Sequence, residues 1–479
     1  MRLDYIGAPV VIYPRIDPNY ILMHDLFVLY QRRALLAKRY SFKGGIFPPH
    51  NKKQTEHLAI EHFPVPQKVV IPLFQHIGAP AKPIVKKGDR VLVGQMIGES
   101  SGLMSAAVHS SVSGIVQTVS PFSHPSGKQM ISVEIESDGL DEAAASTPFG
   151  NWRDAAPGEL IQQVQAAGIV GMGGAGFPTH VKLSPPSNKN IDTLIINGAE
   201  CEPYITADHR LMLERTEHLL TGILILKKIL SAGNCFIGIE ENKGDAVQAL
   251  YSVLNDQKYK EINLARLKVK YPQGGERQLI NAITNREVPS GGLPMDVGCV
   301  VVNVGTAVAV YDAVIQGVPL HERVVTVCGP AVKDPKNFMV RIGTPIRMLL
   351  EATNTDFSAA KKVIMGGPMM GITLSDLDVP VIKSTSGILV LDTISPAVRQ
   401  YPCINCGHCV QVCPTHLIPS RLAKFVEKEK IKEAIDWHLM DCMECGSCTY
   451  VCPSKINLVH FLRLGKFHVK AMRAADAQK

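Results

Sequence analysis

The 479-residue sequence predicts a multidomain chain that mixes α/β and α+β architecture. Three observations carry that prediction. Short β-rich runs split by Gly and Pro give way to a regular alternation of strand and helix patterns. The chain is too long for one core, since single cores rarely grow past about 250–300 residues. Near the end, eight of the twelve cysteines fall into two copies of one spacing, the mark of a metal-binding domain.

Composition narrows the class. Hydrophobic content of 46% and charged content of 19% describe a folded protein. The net charge of +7 is a mild excess without a basic stripe, so no nucleic-acid partner is expected. The most apolar window, "VGCVVVNVGTAVAVYDAVI" at 297–315, is broken by Gly298, Asn303, Gly305 and Asp312. It reads as a buried strand and then a helix, not as a membrane span. The N-terminal residues lack the basic and apolar regions of a secretory signal, and thiols clustered as ligands suit a reducing cytoplasmic compartment.

Residues 1–40 form an extension with a ragged helical pattern, "LFVLYQRRALLAKRY", in which Met23 is an alternative start. From 41 to 139, "KKGDRVLVGQMIGES" and "SAAVHSSVSGIVQTVS" predict two hairpin-bearing halves of a small barrel or sandwich. A Pro/Ser/Asp/Ala-rich passage near 139–157 reads as a linker.

Strands are then expected at 193–198, 235–241, 267–272 and 299–304. "HRLMLERTEHLLTGILILKKIL" has the spacing of one helix that stops at Gly233, and "GERQLINAITN" predicts another. Such alternation predicts a mostly parallel sheet whose ligands gather at the strands' carboxyl ends. A second β-rich segment spans about 320–390, with turns at "CGPAVKDP" and "MGGPMMG". The cysteine runs follow, separated by the charged helix "PSRLAKFVEKEKIKEAIDWH".

Both runs, "CINCGHCVQVCP" and "CMECGSCTYVCP", are C-x2-C-x2-C-x3-C-P, the bacterial ferredoxin signature. Three cysteines in a tight loop reach three irons of a cubane, and the fourth ligand comes from the other run. Cys403, Cys406, Cys409 and Cys452 are therefore assigned to one [4Fe–4S] cluster, and Cys442, Cys445, Cys448 and Cys413 to a second. Structural zinc would need four ligands per site but has no use for a third cysteine and a Cys-Pro in both runs. Cys201, Cys235, Cys299 and Cys328 stand singly in apolar settings and read as buried thiols. His408 and His416 sit beside the clusters, with ordinary surface roles as the alternative to tuning potential.

"GMGGAGFPTHVKL" at 171–183 satisfies G-x-G-x-x-G through Gly171, Gly173 and Gly176. It follows a helical pattern, so it fails the dinucleotide fingerprint, which follows a strand. It remains a candidate backbone cradle for a phosphate or flat ring, with Lys182 as a nearby cation, or else an interdomain loop. Asn197, Glu200 and Glu202 follow one strand, Gly274, Gly275 and Glu276 another, and Asn303 ends a third. Four loops on one sheet edge make a ligand crevice.

These motifs, in order, resemble the FMN- and NADH-binding subunit of respiratory complex I. With "SFKGGIFPPHNKKQT", "HIGAPAKPIVKKGDRVLVGQ" and the cysteine runs added, the chain most resembles the C subunit of the Rnf ion-translocating electron-transport complex over residues 41–465. The resemblance implies a barrel-sandwich hybrid domain at 41–139, a linker at 140–157 and a Rossmann-like FMN/NADH domain at 158–317. It further implies a β-grasp (SLBB) segment at 318–390, a two-cluster ferredoxin-type domain at 391–465 and a tail at 466–479. By position, Gly171, Gly173, Gly174, Gly176, Lys182, Asn197, Glu200 and Asn303 would hold FMN. Phe177, Glu202 and Glu276 would face NADH as substrate. The chain departs from the complex I pattern at Gly275-Glu276, where an acid pair is usual, and at Ala199-Glu200-Cys201-Glu202, where Asp-Glu-Gly-Glu is usual.

The implied role joins two-electron and one-electron chemistry: NADH gives up a hydride, a cubane passes single electrons, and a flavin mediates. The partners implied are the other Rnf subunits, including an iron–sulfur subunit, and through them ferredoxin. The implied location is peripheral, on the cytoplasmic side of the inner membrane. The basic stretch "FLRLGKFHVKAMRAADAQK" reads as a solvated terminal helix or a membrane-partner contact. Two other functions compete: a soluble flavin and iron–sulfur reductase of the cobalamin-reductase kind, and a flavin-free electron carrier.

Overall fold

The computed structural model describes residues 38–393 and 399–476. Most of the helical pattern at 26–40 lies outside them.

The first domain is a sandwich. Strand β1 (Ile60–His62) leaves it to join another sheet. The rest are β2 (Lys68–Pro72), β3 (Lys82–Pro83), β4 (Arg90–Val91), β5 (Met96–Glu99), β6 (Val108–His109), β7 (Gly114–Ser123) and β8 (Gln129–Ser137). They form a four-stranded sheet in the order β2-β8-β7-β4 and a three-stranded one in the order β3-β5-β6. Alternate residues such as Val69, Ile71, Val133 and Ile135 are buried between the layers, as period-two side chains require. The two expected halves of the sandwich interleave. Strand β4 pairs with β7 and β5 with β6, so each half contributes to both sheets. The passage after it is no loose tether: Val93 bridges to Ala143, Phe149 N donates to Val314 O, and Trp152 is buried.

The second domain is an all-parallel sheet, ordered β11-β10-β9-β12. It comprises α1 (Pro157–Ala166), the short α2 (Thr179–Lys182), β9 (Thr193–Gly198), α3 (Ala207–Glu214), α4 (Thr216–Leu230), β10 (Asn234–Glu240), α5 (Gly244–Leu254), β11 (Asn263–Leu267), α6 (Glu276–Thr284), β12 (Cys299–Asn303) and α7 (Val304–Tyr311). In β9, Leu194 and Ile196 pack with Leu211, Leu220 and Ala307 of the helices on one face. Ile195 faces the other layer, with Tyr40, Leu279 and Ile280. Both faces are covered, which explains the near-continuous apolar strands.

Two expectations shift. The long helix is broken at Arg215, whose φ is −124°, and the Thr216 hydroxyl donates to Met212 O and competes with the backbone ladder. The third strand is Asn263–Leu267, not 267–272. Residues beyond it run instead along the N-terminal segment: Lys268 N donates to Tyr40 O, and Tyr271 and Ile46 exchange both backbone bonds.

The third unit contains β13 (Glu322–Cys328), β14 (Lys336–Arg341), α8 (Ile346–Ala352), β15 (Lys362–Met365), β16 (Ile372–Thr373) and β17 (Gly387–Leu391). Its six-stranded order is β1-β14-β13-β17-β15-β16, with β1 contributed by the sandwich segment. Lys383 ties three units together. Its buried Nζ donates to Ala107 O at 2.6 Å and Gly168 O at 2.7 Å. Burial pulls this ammonium down to about 7.

The last domain contains α9 (His408–Gln411), α10 (Pro419–Glu427), α11 (Ile431–Asp436), α12 (Ser447–Tyr450) and α13 (Leu458–Asp476). The expected single charged helix breaks between α10 and α11, where Glu429 takes a φ of 56°. Helix α13 runs through the expected boundary at 465/466. It buries Leu458, Leu462, Gly465 and Val469 against the domain, so the tail continues this helix as far as Asp476, with Val469 its last buried residue. Among the described residues no helix is long and apolar enough to cross a membrane.

Candidate flavin and iron–sulfur sites

The two cysteine runs fold alike. Asn405 and Glu444 have φ of 56° and 61°, Gly407 and Gly446 78° and 77°, and His416 and Lys455 both 56°. Each run thus coils through the same left-handed turns into a four-residue helix that carries its third cysteine. Glycine at 407 and 446 meets the positive φ without strain.

Cys403, Cys406, Cys409 and Cys452 together line a cavity of ≈ 200 Å³, closed by Pro453, Ile456 and Leu458. The fourth cysteine of the second run therefore stands with the first three of the other. Cys413 makes the reciprocal crossing, because its charge acts on both Cys442 and Cys448 alongside Cys445. Burial, with the neighbouring thiols adding to it, pushes Cys442 and Cys448 up to about 12. Leu417 N donates to Cys413 Sγ at 3.3 Å and Glu444 N to Cys442 Sγ at 3.4 Å, contacts of the kind that set cluster potential. All twelve cysteines are free, and no three His, Cys, Asp or Glu side chains among the described residues are gathered for a single metal ion. The donor chemistry and the cavity fit a cluster. His408 and His416 are exposed.

The crevice residues gather at the carboxyl ends of β9, β11 and β12. The 171–177 loop is closed by Gly171 N donating to Phe177 O and is anchored by Met172 N on Thr306 Oγ1. A Cβ on Gly173 would come within 3.1 Å of the Asn303 side chain, while the position on Gly174 is open. Lys182 pairs with Glu276 at 2.6 Å and also donates to Val301 O. Asn197 Nδ2 donates to Gly274 O at 2.8 Å, and Asn303 Nδ2 to Asp208 Oδ2 at 2.6 Å. A Cβ on Gly274 would crowd Cys201 Sγ and Asn197 Oδ1. These glycines form a backbone cradle, exposed at Gly173 and Gly174, beside half-exposed polar groups, which fits a flat ring carrying an anionic group.

Glu200 and Glu202 are placed differently. Both Glu200 carboxylate oxygens accept backbone N–H groups opening α3, from Asp208 at 2.7 Å and His209 at 3.2 Å. Burial pushes this carboxyl up to about 7, against the pull of Lys52. Glu202 accepts from Met369 N and Met370 N in the 365–371 turn.

Sequence reasoning missed the groups that shape this loop. Lys52 Nζ donates to Glu200 O, Glu202 O and Ile205 O. Lys243 Nζ donates to Ala199 O at 2.6 Å. Both lysines are buried, and neither lies in a pattern that signals burial. Tyr271, 1% exposed, reaches from the crevice to Cys445 O at 2.9 Å. Gln278 Nε2 donates to Pro414 O, and Gly45 N to Val412 O. The Cys413/Cys442/Cys445/Cys448 quartet is therefore the one packed on the flavin-type domain. Cys403 and Cys406 are exposed.

The chain matches four family models: the RnfC barrel sandwich hybrid domain (40–140), the Nuo51 FMN-binding domain (164–312), the SLBB domain (324–373) and the 4Fe-4S dicluster domain (402–456). It is 46% identical over 443 residues to the C subunit of the proton-translocating ferredoxin:NAD(+) oxidoreductase complex of Clostridium ljungdahlii, covering 92% of this chain and 96% of that one. Against the C subunit of the Na(+)-translocating ferredoxin:NAD(+) oxidoreductase complex of Acetobacterium woodii the identity is 46%, covering 91% and 99%. Against the C subunit of the ion-translocating oxidoreductase complex of Pseudomonas aeruginosa it is 43%, covering 91% of this chain and 57% of that longer one. Among solved structures, a chain of an air-oxidised NAD+-reducing [NiFe]-hydrogenase superimposes with a TM-score of 0.46 at 20% identity, covering 66% and 61%.

Proposed function

The chain belongs to the family of C subunits of ion-translocating ferredoxin:NAD(+) oxidoreductase (Rnf) complexes, and on that premise we propose that it is the NADH-facing subunit of such a complex. It passes electrons between NADH, FMN and two [4Fe–4S] clusters, and exchanges them with an iron–sulfur subunit that leads to ferredoxin. It sits peripherally, on the cytoplasmic side of the membrane. One observation carries this reading: a thiol quartet is packed on the same sheet edge that gathers the flavin-type loops, through Tyr271, Gln278 and Gly45.

The residues divide the work. Gly171, Gly173, Gly174 and Gly176 present bare backbone to the ligand, with Gly173 kept side-chain-free by its approach to Asn303, and Asn197 and Asn303 fix the rims of the crevice. Lys182, held against Glu276, supplies a cation that an anionic group can recruit. Phe177 and Glu276 border the exposed side, where the dinucleotide enters. Glu200 keeps the first turn of α3 in place from beneath. Cys413, Cys442, Cys445 and Cys448 hold the inner cluster, and Cys403, Cys406, Cys409 and Cys452 the outer one. When bound, a flavin accepts an electron pair from a hydride and releases the electrons singly.

Anaerobic purification with iron, sulfide and flavin assays, followed by NADH titration, tests the reading. The expected result is about eight irons per chain, bound FMN, and flavin and cluster absorbance that bleach together on adding NADH. Iron without FMN, and no NADH response after FMN is supplied, would establish the carrier alternative. Recovery of the native protein in washed membranes would favour the membrane complex over the soluble reductase, and its absence from them the reverse.

A further inference from the structure

The 365–371 turn, "MGGPMMG", belongs to the SLBB segment, yet it touches both the crevice loop and a cluster loop. Met369 N and Met370 N donate to Glu202 Oε2 and Oε1 at 3.0 and 2.9 Å, which occupies both carboxylate oxygens. The seat for that carboxylate is built by a missing side chain. A Cβ on Gly367 would overlap Glu202 Oε2 and lie 2.7 Å from both its Cβ and Cδ. Lys52 holds the other end of the residue, donating to Glu202 O at 3.0 Å. On its far side the turn meets the cluster loop: Met369 O lies 3.6 Å from where a Cβ on Gly446 would sit. Met369 also shares an apolar cluster with Tyr271, Cys201 and Cys445.

We infer that Glu202 is a positioning residue: its carboxylate locks the 365–371 turn, and through that turn holds the 442–452 cluster loop at a set distance from the crevice. This differs from the dinucleotide contact that resemblance implied for Glu202, and it rests on the flavin and cluster roles proposed above. Both bonds are charge-assisted; the one from Met369 N is partly buried and the one from Met370 N faces solvent, so breaking them costs most at Met369, whose amide is left short of an acceptor. A turn released in this way lets the cluster loop drift, and transfer between fixed centres depends on geometry.

The test uses anaerobically purified holoprotein with its FMN content measured, as wild type, Glu202→Gln, Glu202→Asp and Gly367→Ala. Gly367→Ala displaces the carboxylate without altering Glu202 or any crevice residue. Two readouts are taken: amide hydrogen exchange across 365–371, and stopped-flow bleaching of flavin by NADH alongside freeze-quenched paramagnetic resonance of the clusters. In both Gln and Ala variants, exchange at Met369 and Met370 should rise, and cluster reduction should slow, by about tenfold. The NADH dependence of flavin bleaching should stay at the wild-type value, and Glu202→Asp should restore part of the protection. Weakened NADH dependence in Glu202→Gln with Gly367→Ala silent would overturn the inference, as would unchanged exchange in both. Wild-type protein that holds no FMN would sink the proposed function instead, while the exchange comparison would still decide the lock.

Discussion

The two thiol quartets share one ligand spacing and one set of backbone turns, yet they sit in different surroundings. The inner quartet has Cys413, Cys445 and Cys448 buried, with Tyr271 bonded to its loop. Lys466, anchored on Cys442 O, lies beside it. The outer one leaves Cys403 and Cys406 exposed, next to Ile404 and Tyr401, which are 67% and 54% exposed. A repeated motif therefore specifies which atoms bind, while the neighbours brought by the fold decide which centre is sealed and which meets solvent. Burial and nearby hydrogen bonds are levers on potential, so on the proposed assignment two chemically identical ligand sets would differ in potential by position.

The strongest way to break this comparison is to cut the crossing. Cys413→Ser lies in the first run but should abolish the paramagnetic signal of the inner centre, and Cys452→Ser that of the outer one. Each variant should drop from about eight irons to about four. Loss of the same-run centre in either variant would sink the interlocked assignment.

Next in size is access. An iron chelator should strip the outer centre about tenfold faster than the inner one, read as two phases of absorbance loss, because exposed sites open more readily. A single phase would mean that the difference in burial has no kinetic effect.

A smaller change sharpens the inner site alone. Tyr271→Phe removes the hydrogen bond to Cys445 O and should cost about 1 kcal/mol of stability. It should shift the midpoint potential of the inner centre while leaving the outer one in place. Equal shifts in both would contradict the packing described.

The smallest effect on the comparison should come from Lys383→Met, which removes the ammonium bonded to Ala107 O and Gly168 O. Burial lowers the folded-state pKa of Lys383 from 10.5 to about 7, so its contribution to stability is full above 10.5 and is lost as pH falls through 7. The gap in melting temperature between wild type and variant should widen as pH rises through that window, with both cluster signals unchanged. A gap that narrows with rising pH would refute the sign.

Much of this was legible in the sequence because it rests on local rules. The repeated cysteine spacing folds into matching turns in both runs, the apolar runs at Thr193–Gly198 and Cys299–Asn303 are buried on both faces, and α6 starts at a Gly-Gly turn. What escaped is what depends on distant partners. The Arg215 break, the pairing of residues 268–271 with the N-terminal segment, and the lysines at 52, 243 and 383 have no local signature. Glu200 and Glu202 are instructive, because their position just past a strand marks the loop as one at the sheet's carboxyl edge. Only tertiary contacts show that their carboxylates are spent on backbone amides.

The strand Ile60–His62 lies parallel to Lys336–Arg341 and finishes a sheet whose other strands come from more than 250 residues downstream. Excising the SLBB unit as a fragment would therefore bare a row of amides and carbonyls along Lys336–Arg341, an adhesive edge prone to recruit other copies. Truncation studies will need to carry that short N-terminal strand along, and a ribosome must finish most of the polypeptide before the sheet can close.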